Sequence, residues 1–289
     1  MGIKIGALAA AVLACTLAAG SLAQSPSPQG SESGKMREQE WRIPTASGSL
    51  LMDATVFRPP GEAKAPVVVI NHGSPADGSE RPGMARPHYT ALSTYFVAHG
   101  YVVVLPLRRG YGKTGGGWAE DYGSCKNPDY AAAGLAGASD ILAAVDYMRR
   151  QPFVLPDRSV IVGHSAGAWG TVAASSLNPP GVPAMIAFAP GRGGHQPGVG
   201  NCEPGALVKA AARYGSTAHV PLLWVNAAND TFFEPRLVDR MVTAYNGAGG
   251  HAVHRAVGPF GKDGHSLASS DSGAAIWQPL VDDFLKTAK

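Results

Sequence analysis

Five short runs of almost exclusively apolar residues follow one another along the chain. Continuous runs of this kind are typical of strands buried on both faces of a sheet, because neither face then needs polar residues. A further run at 251–257 mixes apolar and polar residues, which favours an edge strand. The five apolar runs are 67–70, 101–105, 159–162, 184–189 and 221–226.

Helical segments separate most of these runs. The segment 130–150 has Ile141, Ala144, Val145 and Met148 at helical spacing, so we expect one long helix there. Strands that alternate with helices predict an α/β fold with a doubly wound, mostly parallel sheet. The other predicted helices are 87–99, 168–177, 235–246 and 275–286, and two strands at 40–44 and 50–58 form an N-terminal antiparallel hairpin around a Ser-Gly-Ser turn.

The N-terminus has the pattern of an export signal. Lys4 precedes an apolar stretch at 5–19, and Ser21-Leu22-Ala23 then provides a small-x-small cleavage signature. We therefore predict a signal peptide at 1–23, a flexible lead-in at 24–37 and a single domain at 38–289. The mature protein is expected to be periplasmic or secreted and to have no membrane span.

The hydrophobic and charged content of the chain limits the molecules that it is expected to bind. The 289 residues are 45% hydrophobic, which is enough for one sizeable core, while only 16% are charged and the net charge is +3. So weak and scattered a charge gives no basic surface for nucleic acid. The pattern leaves the oligomeric state open.

One motif carries the chemistry. Gly163-His164-Ser165-Ala166-Gly167 lies between a predicted strand and a predicted helix, and it is the only G-x-S-x-G match in the chain. In that context the serine occupies a tight turn and can act as a nucleophile. A glycine-rich structural turn is the alternative interpretation.

A serine hydroxyl is a weak nucleophile and needs a base, which a third group must orient. In the strand–turn–helix arrangement the acid and the histidine follow the serine in that order. His265 follows the last predicted strand in a glycine-containing turn, and Asp230 follows the strand at 221–226. We predict Ser165, Asp230 and His265 as a catalytic triad.

A developing oxyanion needs backbone N–H donors. One is expected from Ala166, which follows the nucleophile. The other is expected from the loop after the strand at 67–70, Asn71-His72-Gly73-Ser74-Pro75. Because Pro75 has no N–H, Ser74 is the predicted donor.

Two long glycine-rich loops, 110–129 and 191–206, are predicted to wall the site as lid-like segments. Each contains one cysteine, and in an oxidising compartment Cys125 and Cys202 are expected to form a disulfide. Their spacing from other Cys or His residues suggests no metal site.

Aromatic residues on the predicted site face could hold an apolar substrate group, with core packing as an equal alternative: Trp118, Tyr122, Trp169, Phe232 and Phe233.

Taken in order, these motifs resemble the α/β-hydrolase superfamily, in the branch of dienelactone-hydrolase-like esterases and prolyl-oligopeptidase-like peptidases. The resemblance runs from about residue 66 to 286 and implies about eight strands and no cofactor. Dienelactone hydrolases use a cysteine nucleophile, whereas this chain has Ser165. The motifs that carry the resemblance are Asn71-His72-Gly73, Arg109-Gly110-Tyr111-Gly112, the G-x-S-x-G segment, Asn229-Asp230 and Asp263-Gly264-His265.

The sequence thus predicts an exported serine hydrolase that cleaves a small-molecule carboxylic ester through an acyl-enzyme. One rival is a small peptidase or amidase with the same triad, for which Glu120 and Glu203 could bind a substrate amino terminus. A second rival is a non-catalytic binding protein on the same fold.

Overall fold

A computed structural model describes residues 1–2, 26–195 and 200–288. The predicted signal peptide lies almost entirely outside the described residues. One sheet of nine strands forms the centre of the protein. The strands are β1 Ser27–Ser33, β2 Glu38–Pro44, β3 Leu51–Phe57, β4 Ala65–Asn71, β5 Val102–Pro106, β6 Val154–His164, β7 Ala184–Phe188, β8 Leu222–Ala227 and β9 Ala252–Val257.

The strands are ordered β1-β2-β3-β5-β4-β6-β7-β8-β9. The pairs from β1 to β5 are antiparallel, and all pairs from β5 onward are parallel. This arrangement confirms the predicted mostly parallel sheet with an antiparallel N-terminal portion. Since the C-terminal ends of parallel strands meet at one edge, the loops after β4, β6, β8 and β9 converge there.

Helices cover both faces of the sheet. In β4, Val67 and Val69 join the core on one face, while Val68 and Ile70 join the core on the other. This alternation explains why the strand sequence is apolar throughout. Residues of α2 to α5 contribute to the first core and residues of α1 and α6 to the second. The helices are α1 Thr90–Ala98, α2 Tyr130–Arg149, α3 Ala166–Ser175, α4 Pro204–Gly215, α5 Pro235–Gly247 and α6 Ala274–Thr287.

Two elements differ from the sequence prediction. The lead-in expected at 24–37 contains β1, an edge strand whose backbone pairs with β2 and whose side chains are mostly exposed. Glu32 in β1 is bridged by Arg37 and Arg58, which fastens the strand without any apolar burial. Helix α4 occupies the end of the predicted loop at 191–206 and was not expected. It buries Leu207 and Tyr214 against the first core.

The two long loops are joined by the predicted disulfide between Cys125 and Cys202. Cys202 is buried, and its carbonyl accepts a hydrogen bond from the Tyr130 hydroxyl at the start of α2. Both loops are therefore anchored to the domain beside the sheet edge where the parallel strands end. Among the described residues, no helix has the length and apolar character needed to cross a membrane.

Candidate active site

Ser165 lies on a sharp turn between β6 and α3. Its backbone has φ 55° and ψ −120°, a combination that L-residues rarely adopt. The flanking glycines make the turn possible. A Cβ on Gly163 would lie 2.5 Å from the backbone of Ala168, and one on Gly167 would collide with the carbonyl oxygens of Asn71 and His72. The G-x-S-x-G spacing thus follows from close backbone approach on both sides of the serine.

Ser165, His265 and Asp230 form one continuous chain of hydrogen bonds. The Oγ of Ser165 lies 2.9 Å from Nε2 of His265, and Nδ1 of His265 lies 3.1 Å from both carboxylate oxygens of Asp230. All three residues are buried or nearly so. This geometry allows the imidazole to take the serine proton while the carboxylate holds the ring and stabilises its charged form.

Two neighbours fix the carboxylate and the ring. Oδ1 of Asp230 accepts hydrogen bonds from the amides of Phe232 and Phe233, at 2.8 and 3.0 Å. The ring of Phe232 stacks on the imidazole of His265, with centroids 4.1 Å apart. The imidazole of His265 is therefore held on one face by an aromatic side chain and on one edge by an oriented carboxylate.

Asp263 has a different part in the same loop. Its carboxylate accepts a hydrogen bond from the backbone N–H of His265 at 2.9 Å and from the hydroxyl of Thr231 at 2.6 Å. Burial acts to raise the pKa of Asp263, but these hydrogen bonds outweigh it and lower the pKa. Asp263 thus ties the loop after β9 to the loop after β8.

The two predicted oxyanion donors both line the cleft that contains Ser165. Ala166 is the first residue of α3, so its amide has no intrahelical acceptor. Ser74 lies directly across, in a loop close enough that a Cβ on Gly73 would be 3.1 Å from Cβ of Ser165. Both residues thus lie near the hydroxyl of Ser165.

The cleft beside Ser165 encloses a cavity of about 70 Å³. Four of the five predicted aromatic residues line it: Trp118, Tyr122, Phe232 and Phe233. Trp169 does not, which corrects the prediction. As part of α3, four residues after Ser165, it points into the core, where its indole N–H donates to the Tyr130 carbonyl.

Two arginine side chains are part of the cleft wall. Arg81 and Arg192 line it, and no acidic side chain is among its described lining residues. Their guanidinium carbons lie 3.5 and 5.5 Å from the centroid of the Trp118 ring. Sequence reasoning assigned neither arginine, because only the fold brings these loops together.

Glu120 lies behind this wall and is fully buried. Its carboxylate forms ion pairs with both Arg108 and Arg192. Burial alone would raise the pKa of Glu120, but the two guanidinium groups outweigh it and hold the pKa at about 2. Glu120 is therefore an internal counter-ion. Arg109 has a comparable structural role, because it forms an ion pair with buried Asp140 on α2.

Three further residues of the site were missed by sequence reasoning. His72, Tyr89 and His164 lie behind the loop of Ser74 and the turn of Ser165. Burial lowers the pKa of His164 to about 4 and that of His72 to about 3, helped by the charges of His265 and Arg108 respectively. Both imidazoles are thus neutral at physiological pH. The position of His164 inside G-x-S-x-G is the one local signal in the sequence for this group of residues.

Comparisons with known proteins agree with this architecture. A family model described as the prolyl oligopeptidase family matches residues 87–190, less than half of the chain. No curated protein sequence is significantly similar to this chain. Solved structures are similar in fold at low sequence identity.

Three solved structures illustrate the likeness. A protein from Klebsiella pneumoniae designated a dienelactone hydrolase has 17% identity and a TM-score of 0.57, with 86% of this chain and 98% of that chain covered. An esterase from Pyrococcus furiosus has 15% identity and a TM-score of 0.57, with 91% and 99% covered. Dipeptidyl peptidase 4 from Porphyromonas gingivalis has 19% identity and a TM-score of 0.63, with 88% of this chain but only 36% of that chain covered.

These likenesses and the sheet topology show an α/β-hydrolase fold of the kind shared by prolyl-oligopeptidase-like and dienelactone-hydrolase-like proteins. The chain spans nearly the whole of the compared esterase and about a third of the compared peptidase. One fold can support many different reactions, and the substrate is selected by the residues of the site.

Proposed function

We propose that this protein is an exported serine hydrolase that cleaves carboxylic esters of small molecules. The observation that carries the proposal is the unbroken hydrogen-bonded chain from Ser165 through His265 to Asp230, with the serine on a strained turn that opens into a cleft. A non-catalytic binding protein would have no need of a strained serine paired with an oriented imidazole.

The proposed reaction proceeds in two halves. Oγ of Ser165 attacks the ester carbonyl as Nε2 of His265 takes its proton, and the amides of Ser74 and Ala166 stabilise the oxyanion. His265 then gives the proton to the departing alcohol as the C–O bond breaks, leaving an acyl-serine. Water, deprotonated by His265, attacks the acyl-serine, and the acid leaves as the serine regains its proton. Asp230 keeps the imidazole oriented throughout.

The charges around the cleft favour an ester over a peptide read from its amino terminus. A site for a substrate ammonium group needs a free carboxylate. Glu120, one of the two candidates, already serves two buried guanidinium groups, and Glu203 is exposed and does not line the cleft. Arg81 would repel a positively charged amino terminus, whereas Glu120 compensates the charge of Arg192. The two candidate carboxylates thus give the peptidase alternative no support.

Two independent features support export. The N-terminal pattern is that of a signal peptide, and the described structure contains a disulfide between loops that wall the cleft. Disulfides persist mainly in oxidising compartments, so a periplasmic or secreted location fits both features.

The test compares turnover of short-chain p-nitrophenyl esters with that of aminoacyl p-nitroanilides by the mature protein. Ser165→Ala should abolish ester turnover. Ser175→Ala is the matched control, since Ser175 is a buried serine at the end of α3, the helix that follows Ser165, and its hydroxyl bonds to Tyr245 away from the cleft. Faster anilide turnover would favour the peptidase, and a folded protein that cleaves neither substrate would favour the binding protein.

A further inference from the structure

The side chains of half-buried Tyr89 and buried His164 connect the loop of Ser74 to the loop of His265. The amide of Gly73 lies 3.1 Å from the hydroxyl oxygen of Tyr89, and that oxygen lies 2.9 Å from Nδ1 of His164. Nε2 of His164 lies 2.8 Å from the carbonyl oxygen of His265. The connection therefore runs from the residue before one proposed oxyanion donor to the backbone of the proposed base.

The direction of each hydrogen bond follows from the atoms. The carbonyl oxygen of His265 can only accept, so Nε2 of His164 carries the proton. Since burial lowers the pKa of His164 to about 4, the ring is neutral and its Nδ1 must accept. Tyr89 therefore donates its hydroxyl proton to Nδ1, and its oxygen accepts from the amide of Gly73. Each donor in these three hydrogen bonds has one acceptor, and the direction of donation is fixed in each of them.

The other side of Gly73 is also held. Nδ1 of His72 lies 2.7 Å from the carbonyl oxygen of Gly73, which accepts its proton. That carbonyl and the N–H of Ser74 belong to one planar peptide unit and point in opposite directions when the bond is trans. Fixing the carbonyl toward His72 thus fixes where the Ser74 amide points.

We propose that Tyr89 and His164 form a positioning bridge that sets the proposed oxyanion amide of Ser74 at a fixed distance from the imidazole of His265. The proposal rests on the proposed function and assigns these two residues no contact with the substrate. Both flanking peptides of Gly73 are held, one by Tyr89 and one by His72, so the loop cannot rotate unless one of these bonds breaks.

The bridge matters because two groups must act on the same tetrahedral intermediate. The amide of Ser74 stabilises its oxygen while His265 transfers the proton, and a displacement of about 1 Å between such groups can cost about a hundredfold in rate. Substrate held only by the walls of the cleft is unaffected by that displacement. Loss of the bridge should therefore lower kcat and leave KM nearly unchanged.

The test uses steady-state ester hydrolysis with four variants. Tyr89→Phe removes one hydrogen bond, and we expect kcat to fall about tenfold with KM within about twofold of the wild type. His164→Leu removes both bonds of the ring, and we expect a fall of about a hundredfold. His164→Gln, which can still donate to the His265 carbonyl, should restore part of that loss. Tyr245→Phe is the control, since it deletes a buried tyrosine hydrogen bond of 2.7 Å to Ser175, far from the cleft.

Two further measurements separate positioning from general destabilisation. The inhibition constant of a trifluoromethyl ketone, which mimics the tetrahedral intermediate, should rise in proportion to the fall in kcat. The double variant Tyr89→Phe/His164→Leu should be no slower than His164→Leu alone, because both changes break the same bridge.

The bridge would be overturned if the reductions in kcat of the two single variants multiplied in the double variant, or if the variants changed only KM. It would also be overturned if kcat fell in parallel with the melting temperature and fell equally in the control variant Tyr245→Phe. If the wild type cleaves esters and both Tyr89→Phe and His164→Leu have the same kcat as the wild type, the bridge is refuted and the proposed function stands. If the folded wild type cleaves no ester, the proposed function and the bridge fail together.

Discussion

Acid should destabilise this protein because it buries two neutral imidazoles. The pKa of His164 is lowered from 6.5 to about 4 and that of His72 from 6.5 to about 3, in both cases mainly by burial. In the unfolded chain both rings take up a proton as the pH falls through about 6.5, while in the folded protein they do not. The stability that the neutral rings contribute is thus present above pH 6.5 and is lost progressively down to about pH 4 and pH 3.

The magnitude follows from proton linkage. Once a histidine is protonated in the unfolded chain but not in the folded protein, the free energy of unfolding falls by about 1.4 kcal/mol per pH unit. Each of the two histidines should therefore lower the free energy of unfolding by about 2 kcal/mol between pH 7.5 and 5. His164→Gln removes one of these titrations and keeps a similar shape. Its free energy of unfolding should therefore fall by about 2 kcal/mol less than that of the wild type over the same interval.

Urea unfolding followed by tryptophan fluorescence, at about pH 7.5 and about pH 5 with the disulfide intact, measures both losses. The interval stays above the range in which the lowered pKa values of Glu120 and Asp263 would contribute. Equal losses in the wild type and in His164→Gln would refute the reasoning, since His164 would then be protonated in the folded protein or exposed to water.

Three other predictions follow from the site and the loops. Asp230→Asn should lower kcat for esters about 10⁴-fold with little change in the melting temperature, because the imidazole loses the partner that sets its tautomer. An unchanged kcat would show that Asp230 has no part in the mechanism. A p-nitrophenyl ester whose acyl chain ends in a carboxylate should have a lower KM than a neutral ester of equal length, and Arg81→Gln should raise that KM about fivefold, since a charged hydrogen bond in an open cleft contributes about 1 kcal/mol. If the neutral ester responds equally to Arg81→Gln, charge is not the cause. Replacing Cys125 and Cys202 by serine should lower the free energy of unfolding by about 2 to 4 kcal/mol in urea titrations, because the bridge closes a loop between residues 77 apart; a double variant as stable as the wild type would contradict this.

The sheet was predictable because its centre has one physical requirement. Strands buried on both faces must be apolar at nearly every position, and β4, β5, β7 and β8 show that pattern. In β6 only the buried run at 160–162 shows it, because the preceding residues 156–158 are Pro-Asp-Arg and are not buried. The turn at Ser165 was predictable for a similar reason, since close backbone approach admits only glycine at 163 and 167. Asp230 and His265 followed from chain order, and the structure brings both to Ser165.

What escaped prediction depends on contacts between distant segments. Strand β1 has no apolar face and is held by backbone pairing and by ion pairs of Glu32, so its composition resembles a flexible lead-in. Helix α4 begins at Pro204 inside a glycine-rich stretch that hid its helical pattern. Tyr89 lies 75 residues from His164, and no local pattern relates the two. Trp169 was misassigned because proximity to Ser165 in sequence did not indicate which side of α3 it faces.

The most direct test of the central claim is to map where a fluorophosphonate reacts. The mature protein is treated with the probe, and the modified peptide is identified by mass spectrometry, with the inhibited ester activity measured in the same sample. We expect one adduct, on Ser165, formed in proportion to lost activity, and none in Ser165→Ala or after acid denaturation. A folded wild type that acquires no adduct, or an adduct elsewhere that accounts for the lost activity, would contradict the claim that Ser165 is the nucleophile.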